Sequence, residues 1–372
     1  MSIKKLITNI FLNGVYLGNQ NKVVRVLLIG FGYSGSSIHF PLIMTNPNFK
    51  IVGIYRKNKD KFDQNSIKLS DINLYDSIER IMNNLSEFDL AVIATPNSTH
   101  KTFANLFLAN KKDIVVEKPL AGSENETFEI INNAKTFGKN VFVFQNRRWD
   151  SCYLSMQEML NSKLIGDIHL IESNWENLKT AKQTWRNSAK PEDLGGILLD
   201  IGSHLIDQMV QSIGPIENIK AGVKTIRPNA FTDDDIQIDM VHINGKRSRI
   251  VASHFKKRQN PRFRITGTKG QIEILDYDNQ ELLLKTSLSE KEFINPACLN
   301  NDIKIKINID GVNSEIFKNF GLITWSNFYS EVYQTLVFNK KFPITYNQVL
   351  YNSRILDLCR KSSFDKCTLN IK

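Results

Sequence analysis

Residues 23–29 are almost wholly apolar and run straight into Gly30-Phe31-Gly32-Tyr33-Ser34-Gly35. An apolar run of that kind predicts a strand buried on both faces, and therefore a parallel strand inside a sheet. Three close glycines followed by an amphipathic stretch over 34–44 predict a strand–turn–helix unit. Each glycine has its own physical reason: Gly30 permits the tight turn, Gly32 lets backbone approach a pyrophosphate, and Gly35 lets the helix pack close to the strand. The helix N-terminus then offers unpaired N–H groups and partial positive charge to phosphates. The turn is a candidate dinucleotide site, and Phe31, Tyr33 and Ser34 belong to it.

Further apolar runs at 50–55, 90–94, 114–116 and 141–144 alternate with helical stretches such as 102–109 and 124–137. That alternation predicts an α/β unit with a parallel sheet covered on both faces, ending near Gln145. From Asn146 the pattern changes. After a helix at about 153–160 come longer alternating segments at 168–175, 216–224, 236–243, 249–254, 263–266 and 271–275. Turn residues separate them, which predicts an antiparallel sheet, and helices at 325–338 and 346–362 close the chain. A length of 372 residues fits two domains. We divide the chain into an extension (1–21), a dinucleotide-binding domain (22–145) and a substrate-binding and oligomerisation domain (146–372). In the extension Thr8, Asn9 and Asn13 interrupt the apolar residues that follow Lys4-Lys5, and no small-residue cleavage site is clear.

Three segments carry chemistry. Glu117-Lys118-Pro119 ends an apolar strand, where a Lys ammonium faces the crevice and can polarise a hydroxyl or carbonyl oxygen. Asp200 and His204 stand four residues apart at the entry to a helix, hence on one face. An imidazole titrating near neutrality can take a hydroxyl proton as hydride leaves, while the carboxylate orients substrate or stabilises the imidazolium. Thr95-Pro96-Asn97 and His100 follow another strand end. There Asn97, the closer contact, and His100 line the nicotinamide side or cap the next helix. The end of the second strand has Arg56 and Lys57, with Lys59 beyond, and no acid before Asp60. A guanidinium there pairs with a 2′-phosphate, which favours NADP over NAD.

Other classes fit less well. The formal charge of +10 is spread along the chain without a nucleic-acid motif. Its densest stretch, Lys256-Lys257-Arg258 with Arg262 and Arg264, reads as a solvated face or an interface. No apolar run is long enough to span a bilayer. Cys152, Cys298, Cys359 and Cys367 are far apart and form no disulfide framework, which fits a reducing cytoplasm. Asp200, His204 and Asp207 have metal-like spacing but no strong further ligand, so no metal is expected. The remaining histidines read as core or surface residues.

Taken together, these segments resemble the Gfo/Idh/MocA oxidoreductase family, from about Val23 to the C-terminus. The resemblance implies a Rossmann domain joined to an α/β domain with a large, mostly antiparallel sheet, whose open face makes homodimers or homotetramers. It places the family's catalytic Lys, Asp and His on Lys118, Asp200 and His204. The segments around His39 and Asn146-Arg147-Arg148-Trp149-Asp150 resemble the branch containing NADP-dependent scyllo-inositol 2-dehydrogenases. That likeness implies that Arg147, Trp149 and Trp185, which is followed by Arg186, line the crevice, and that the substrate is a cyclic polyol or sugar. Alternatives within the fold are a non-catalytic NADP-binding sensor and an NAD-dependent glycosidase. In two places the usual glycine is missing: Asn110-Lys-Lys-Asp113 precedes the Glu-Lys-Pro strand, where Asn110 is expected to take the left-handed turn, and Leu194 stands before Gly195-Gly196.

Overall fold

The computed structural model describes residues 22–57, 72–182, 184–287, 301–321 and 323–371. The 1–21 extension and Lys59 lie outside the described residues. The first sheet is built from β1 (Val24–Ile29), β2 (Phe49–Tyr55), β3 (Asn73–Tyr75), β4 (Leu90–Ile93), β5 (Asp113–Val116) and β6 (Val141–Val143). They lie in the order β3-β2-β1-β4-β5-β6, and every pairing is parallel. Strand order reverses between β1 and β4, so a crevice opens at their carboxyl ends, where ligands of such sheets bind. Leu27, Leu28, Ile29 and the whole of β4 are inaccessible to solvent, as the apolar runs predict.

The second sheet comprises β7 (Ile168–Glu176), β8 (Ile216–Lys224), β9 (Asp235–His242), β10 (Arg247–Ser253), β11 (Phe263–Gly267), β12 (Gly270–Ile274), β13 (Ile303–Ile309), β14 (Val312–Lys318) and β15 (Leu369–Asn370). Their order is β14-β13-β12-β11-β7-β10-β9-β8-β15. All neighbours are antiparallel except β7 and β10. Strands β3, β13, β14 and β15 and the Gln280–Ser287 helix were not anticipated from the sequence.

Three sequence expectations are corrected. The part after Asn146 does not pack as one body: Trp325, Phe328, Tyr329, Val332 and Tyr333 of the penultimate helix join the first domain's core. Asn110 does not take the left-handed turn (φ −88°); Lys111 does (φ 59°), while the Asn110 amide donates to the Leu106 carbonyl oxygen. The basic stretch is not all solvated, since Arg262 is fully buried. Its guanidinium donates to Ser173 and Gln208 at 2.7 Å each and stacks 4.0 Å from the Phe263 ring.

Candidate active site

The glycine turn leaves β1 at the edge where the strand order reverses. Gly30 has φ +93°, and a Cβ on Gly35 would lie 2.0 Å from the Gly30 carbonyl oxygen, so neither position admits a side chain. The space beside Gly32 is open, which suits close approach of a phosphate to backbone N–H groups. The turn therefore fits a dinucleotide. Arg56 sits at the end of β2, its N–H bonded to the Tyr75 carbonyl, with exposed Lys57 beside it.

Glu117, Lys118 and Pro119 leave β5 at the same edge, and the Lys118–Pro119 peptide is cis. Glu117 accepts from the Ser34 hydroxyl and lies 3.2 Å from His39 Nε2. His39 Nδ1 lies 2.6 Å from the Tyr329 hydroxyl, and burial keeps that phenol protonated. Nε2–H donates to the Glu117 carboxylate, and Nδ1 shares a hydrogen bond with the Tyr329 hydroxyl. Burial alone would raise the Glu117 pKa, but His39, Lys118 and Ser34 outweigh it and hold it at about 2. A buried chain of hydrogen bonds so fixes the glycine turn to the backbone that presents Lys118.

The Lys118 ammonium donates to Asp200 twice, to Oδ1 at 2.9 Å and to the backbone carbonyl. An ammonium has three hydrogens, so one remains for a substrate oxygen. Asp200 lies in a wide π turn (Leu198–Gly202) that leads into the Ser203–Ile213 helix. Burial acts to raise its pKa, but Lys118, Arg186 and Arg147 win and hold the carboxyl well below the ordinary range. Arg186 Nε is 3.6 Å from Asp200 Oδ2, and its guanidinium lies 4.4 Å over the Trp185 ring. This loop packs tightly on the approach to Asp200, because a Cβ on Gly195 would lie 2.5 Å from the Arg186 carbonyl oxygen.

His204 is nearly inaccessible, and Nδ1 lies 3.0 Å from Gln145 Oε1 at the end of β6. An amide oxygen only accepts, so Nδ1 carries the hydrogen and Nε2 the lone pair. Burial, and then the charges of Lys118, Arg147 and Arg262, depress the His204 pKa well below the ordinary imidazole value. The ring is therefore a neutral base at physiological pH. Its orienting partner is Gln145, which sequence reading missed; the available signal was its place at the carboxyl end of a parallel strand.

Other expected site residues divide into two groups. His100 is fully buried between the carbonyl oxygens of Pro119 (2.8 Å) and Thr95 (3.0 Å). It braces two crevice loops and has no surface left for a cofactor, which corrects its expected nicotinamide contact. Asn97 is buried and donates to the Leu194 carbonyl oxygen at 2.9 Å, tying β4 to the loop before Gly195. Pro96 is exposed and Thr95 partly so. Arg147 is buried between Asp150 and Glu281 and lies 4.4 Å over the Trp175 ring. Trp149 rests edge-on against Phe328 of the first core. Asp207, the third member of the metal-like spacing, is gripped by Arg148 through two 2.7 Å bonds.

Comparison with known proteins gives the family. A family model described as "Oxidoreductase family, NAD-binding Rossmann fold" matches residues 24–145. Another, the "GFO/IDH/MocA C-terminal domain", matches residues 153–273. The chain belongs to the Gfo/Idh/MocA oxidoreductase family. The Escherichia coli oxidoreductase YhhX is 25% identical over 339 residues, covering 90% of this chain and 95% of that protein. The scyllo-inositol 2-dehydrogenase (NADP(+)) IolW of Bacillus subtilis is 23% identical over 361 residues, covering 94% and 96%. The solved structure of the Bacillus subtilis oxidoreductase YvaA superposes with TM-score 0.83 at 21% identity, over 95% of this chain and all of that one. No helix among the described residues is long and apolar enough to cross a membrane.

Proposed function

We propose that this chain is an NADP-preferring dehydrogenase acting on a secondary alcohol of a cyclic polyol or sugar, with an inositol-type substrate favoured. The observation that carries the reading is the juxtaposition of an ammonium with one free hydrogen and a carboxylate ion, beside a neutral imidazole that has a free lone pair. The nicotinamide dinucleotide, when bound, supplies the hydride acceptor. His204 Nε2 takes the hydroxyl proton, and Lys118 lowers the energy of the alkoxide-like oxygen that results. Asp200 holds Lys118 in place and accepts from a neighbouring hydroxyl, which suits a substrate rich in hydroxyl groups. Glycine-turn backbone groups receive the pyrophosphate, Arg56 takes the 2′-phosphate, and Trp149 and Trp185 help to locate the nicotinamide. Kinship with IolW supports both the substrate class and the cofactor preference.

The test is the absorbance of reduced nicotinamide, with NADP and NAD each offered inositols, aldoses and sugar acids. NADP reduction by scyllo-inositol, with NAD much slower, is the expected result. A chain that binds NADP and oxidises none of them contradicts the proposal and favours the sensor reading. Release of free sugar from glycosides without net reduction favours the glycosidase.

A further inference from the structure

The Gln280–Ser287 helix follows β12 in the second half of the chain, yet Leu284 packs into the first domain's core. Its start is firmly held. Gln280 is fully buried; its amide N–H groups donate to Asp278 Oδ2 and Thr324 Oγ1, and its amide oxygen accepts from the Trp325 N–H. The next residue, Glu281, reaches across the crevice. Its Oε1 accepts from the Tyr33 hydroxyl at 2.7 Å, and its Oε2 accepts from Arg147 Nη2 at 3.1 Å. Tyr33 belongs to the glycine turn and is 46% exposed; the Glu281 side chain is 39% exposed. One carboxylate thus connects the phosphate-binding turn to the arginine at the end of β6.

We propose that Glu281 acts as an internal pseudo-ligand of the dinucleotide site, a strap that cofactor binding must release. This rests on the dinucleotide reading above. The carboxylate receives an O–H and a guanidinium N–H, the donors a phosphate oxygen takes, and it brings negative charge to a turn that must accept a pyrophosphate. Like charges repel there, so the strap and the cofactor compete. Because Gln280 anchors the backbone, release is a rotation of the Glu281 side chain away from Tyr33 and Arg147. Arg147 then offers Nη2 to the incoming anion, while Asp150 keeps hold of Nη1. Among the described residues buried Arg147 Nε has no acceptor, so this guanidinium is incompletely satisfied and can regroup.

Binding of NADP and of its reduced form is measured by quenching of tryptophan fluorescence in the full chain, without turnover. Glu281→Gln keeps shape and removes charge; Glu281→Ala removes the strap; Tyr33→Phe removes one anchor. We expect at least threefold tighter binding and faster association for both Glu281 variants at low salt. The gain should shrink as salt screens the charge, and Tyr33→Phe should shift affinity in the same sense by less. Circular dichroism and thermal melts confirm that each variant folds. Unchanged or weaker binding in both folded Glu281 variants overturns the strap while leaving the dehydrogenase reading intact. No binding of either dinucleotide by the wild-type chain removes the dinucleotide reading, and the strap with it.

Discussion

At the scale of residues, the proposed reaction gives Lys118 and His204 different work because their partners differ. Lys118 is a cation whose two bonds to Asp200 leave one hydrogen; His204 is kept neutral by burial and by three surrounding cations. Gln145 decides which imidazole nitrogen is basic. Gln145→Met removes the acceptor for Nδ1, and we expect kcat to fall roughly 10- to 100-fold, part of the ~10²–10⁴ that a general base contributes. KM should change little, since substrate binding does not use this bond. An unchanged kcat in steady-state kinetics contradicts the tautomer assignment. The Lys, Asp and His were legible in the sequence because they end a strand or open a helix in recognisable motifs. Gln145 and Glu281 were not, since a lone amide and a lone acid reveal nothing until the fold brings His204, Tyr33 and Arg147 to them.

At the scale of elements, the penultimate helix ties the second half of the chain to the first core. Trp325 and Phe328 pack into the first core, and Tyr329 secures His39 there. Tyr329→Phe leaves a buried imidazole nitrogen without its hydrogen-bond partner, which costs about 1–3 kcal/mol. Urea unfolding is expected to show that loss, and a change below about 0.5 kcal/mol contradicts the relay from Tyr329 to Glu117. The parallel strands were readable because each is a dense apolar run. Strand β13, Ile-Lys-Ile-Lys-Ile-Asn-Ile, carries the alternation of a half-buried strand and went unread although the signal is present. By contrast, β3 has three residues and β15 two, too few for any period, and only the sheet edges they join create them. The sequence marked both places where the usual glycine is missing, but not that Lys111 and Leu194 themselves take the left-handed backbone there (φ 59° and 54°).

At the scale of the whole molecule, buried titratable groups set how stability depends on pH. His100, His204, His242 and His254 all have depressed pKa values, with burial the largest cause in each, and His254 is pushed down to about 4. The unfolded chain binds their protons below about pH 6.5, before the folded chain does, so their contribution is present above that pH and is lost as pH falls. Asp150 opposes them: burial raises its pKa to about 7, so its contribution is present at low pH and lost as pH rises through 7. Burial raises the Asp233 pKa as well, so it opposes them in the same sense as Asp150; among the described residues four imidazoles against two carboxyls still make the net slope unfavourable below pH 6.5. Urea denaturation at intervals from pH 7.5 down to 5 should therefore show unfolding free energy falling steadily. A rise toward pH 5 contradicts this balance.

In the proposed reaction, hydride transfer in this crevice depends on Lys118 polarising the reacting oxygen. The most direct measurement compares Lys118→Met with wild type, for turnover on an alcohol the wild type oxidises and, separately, for NADP affinity. Turnover is expected to be lower by at least a hundredfold, within the range of one preorganised electrostatic donor (~10²–10³), with an NADP dissociation constant within about threefold (~0.7 kcal/mol) of wild type. Turnover left near the wild-type value with affinity unchanged would contradict that role.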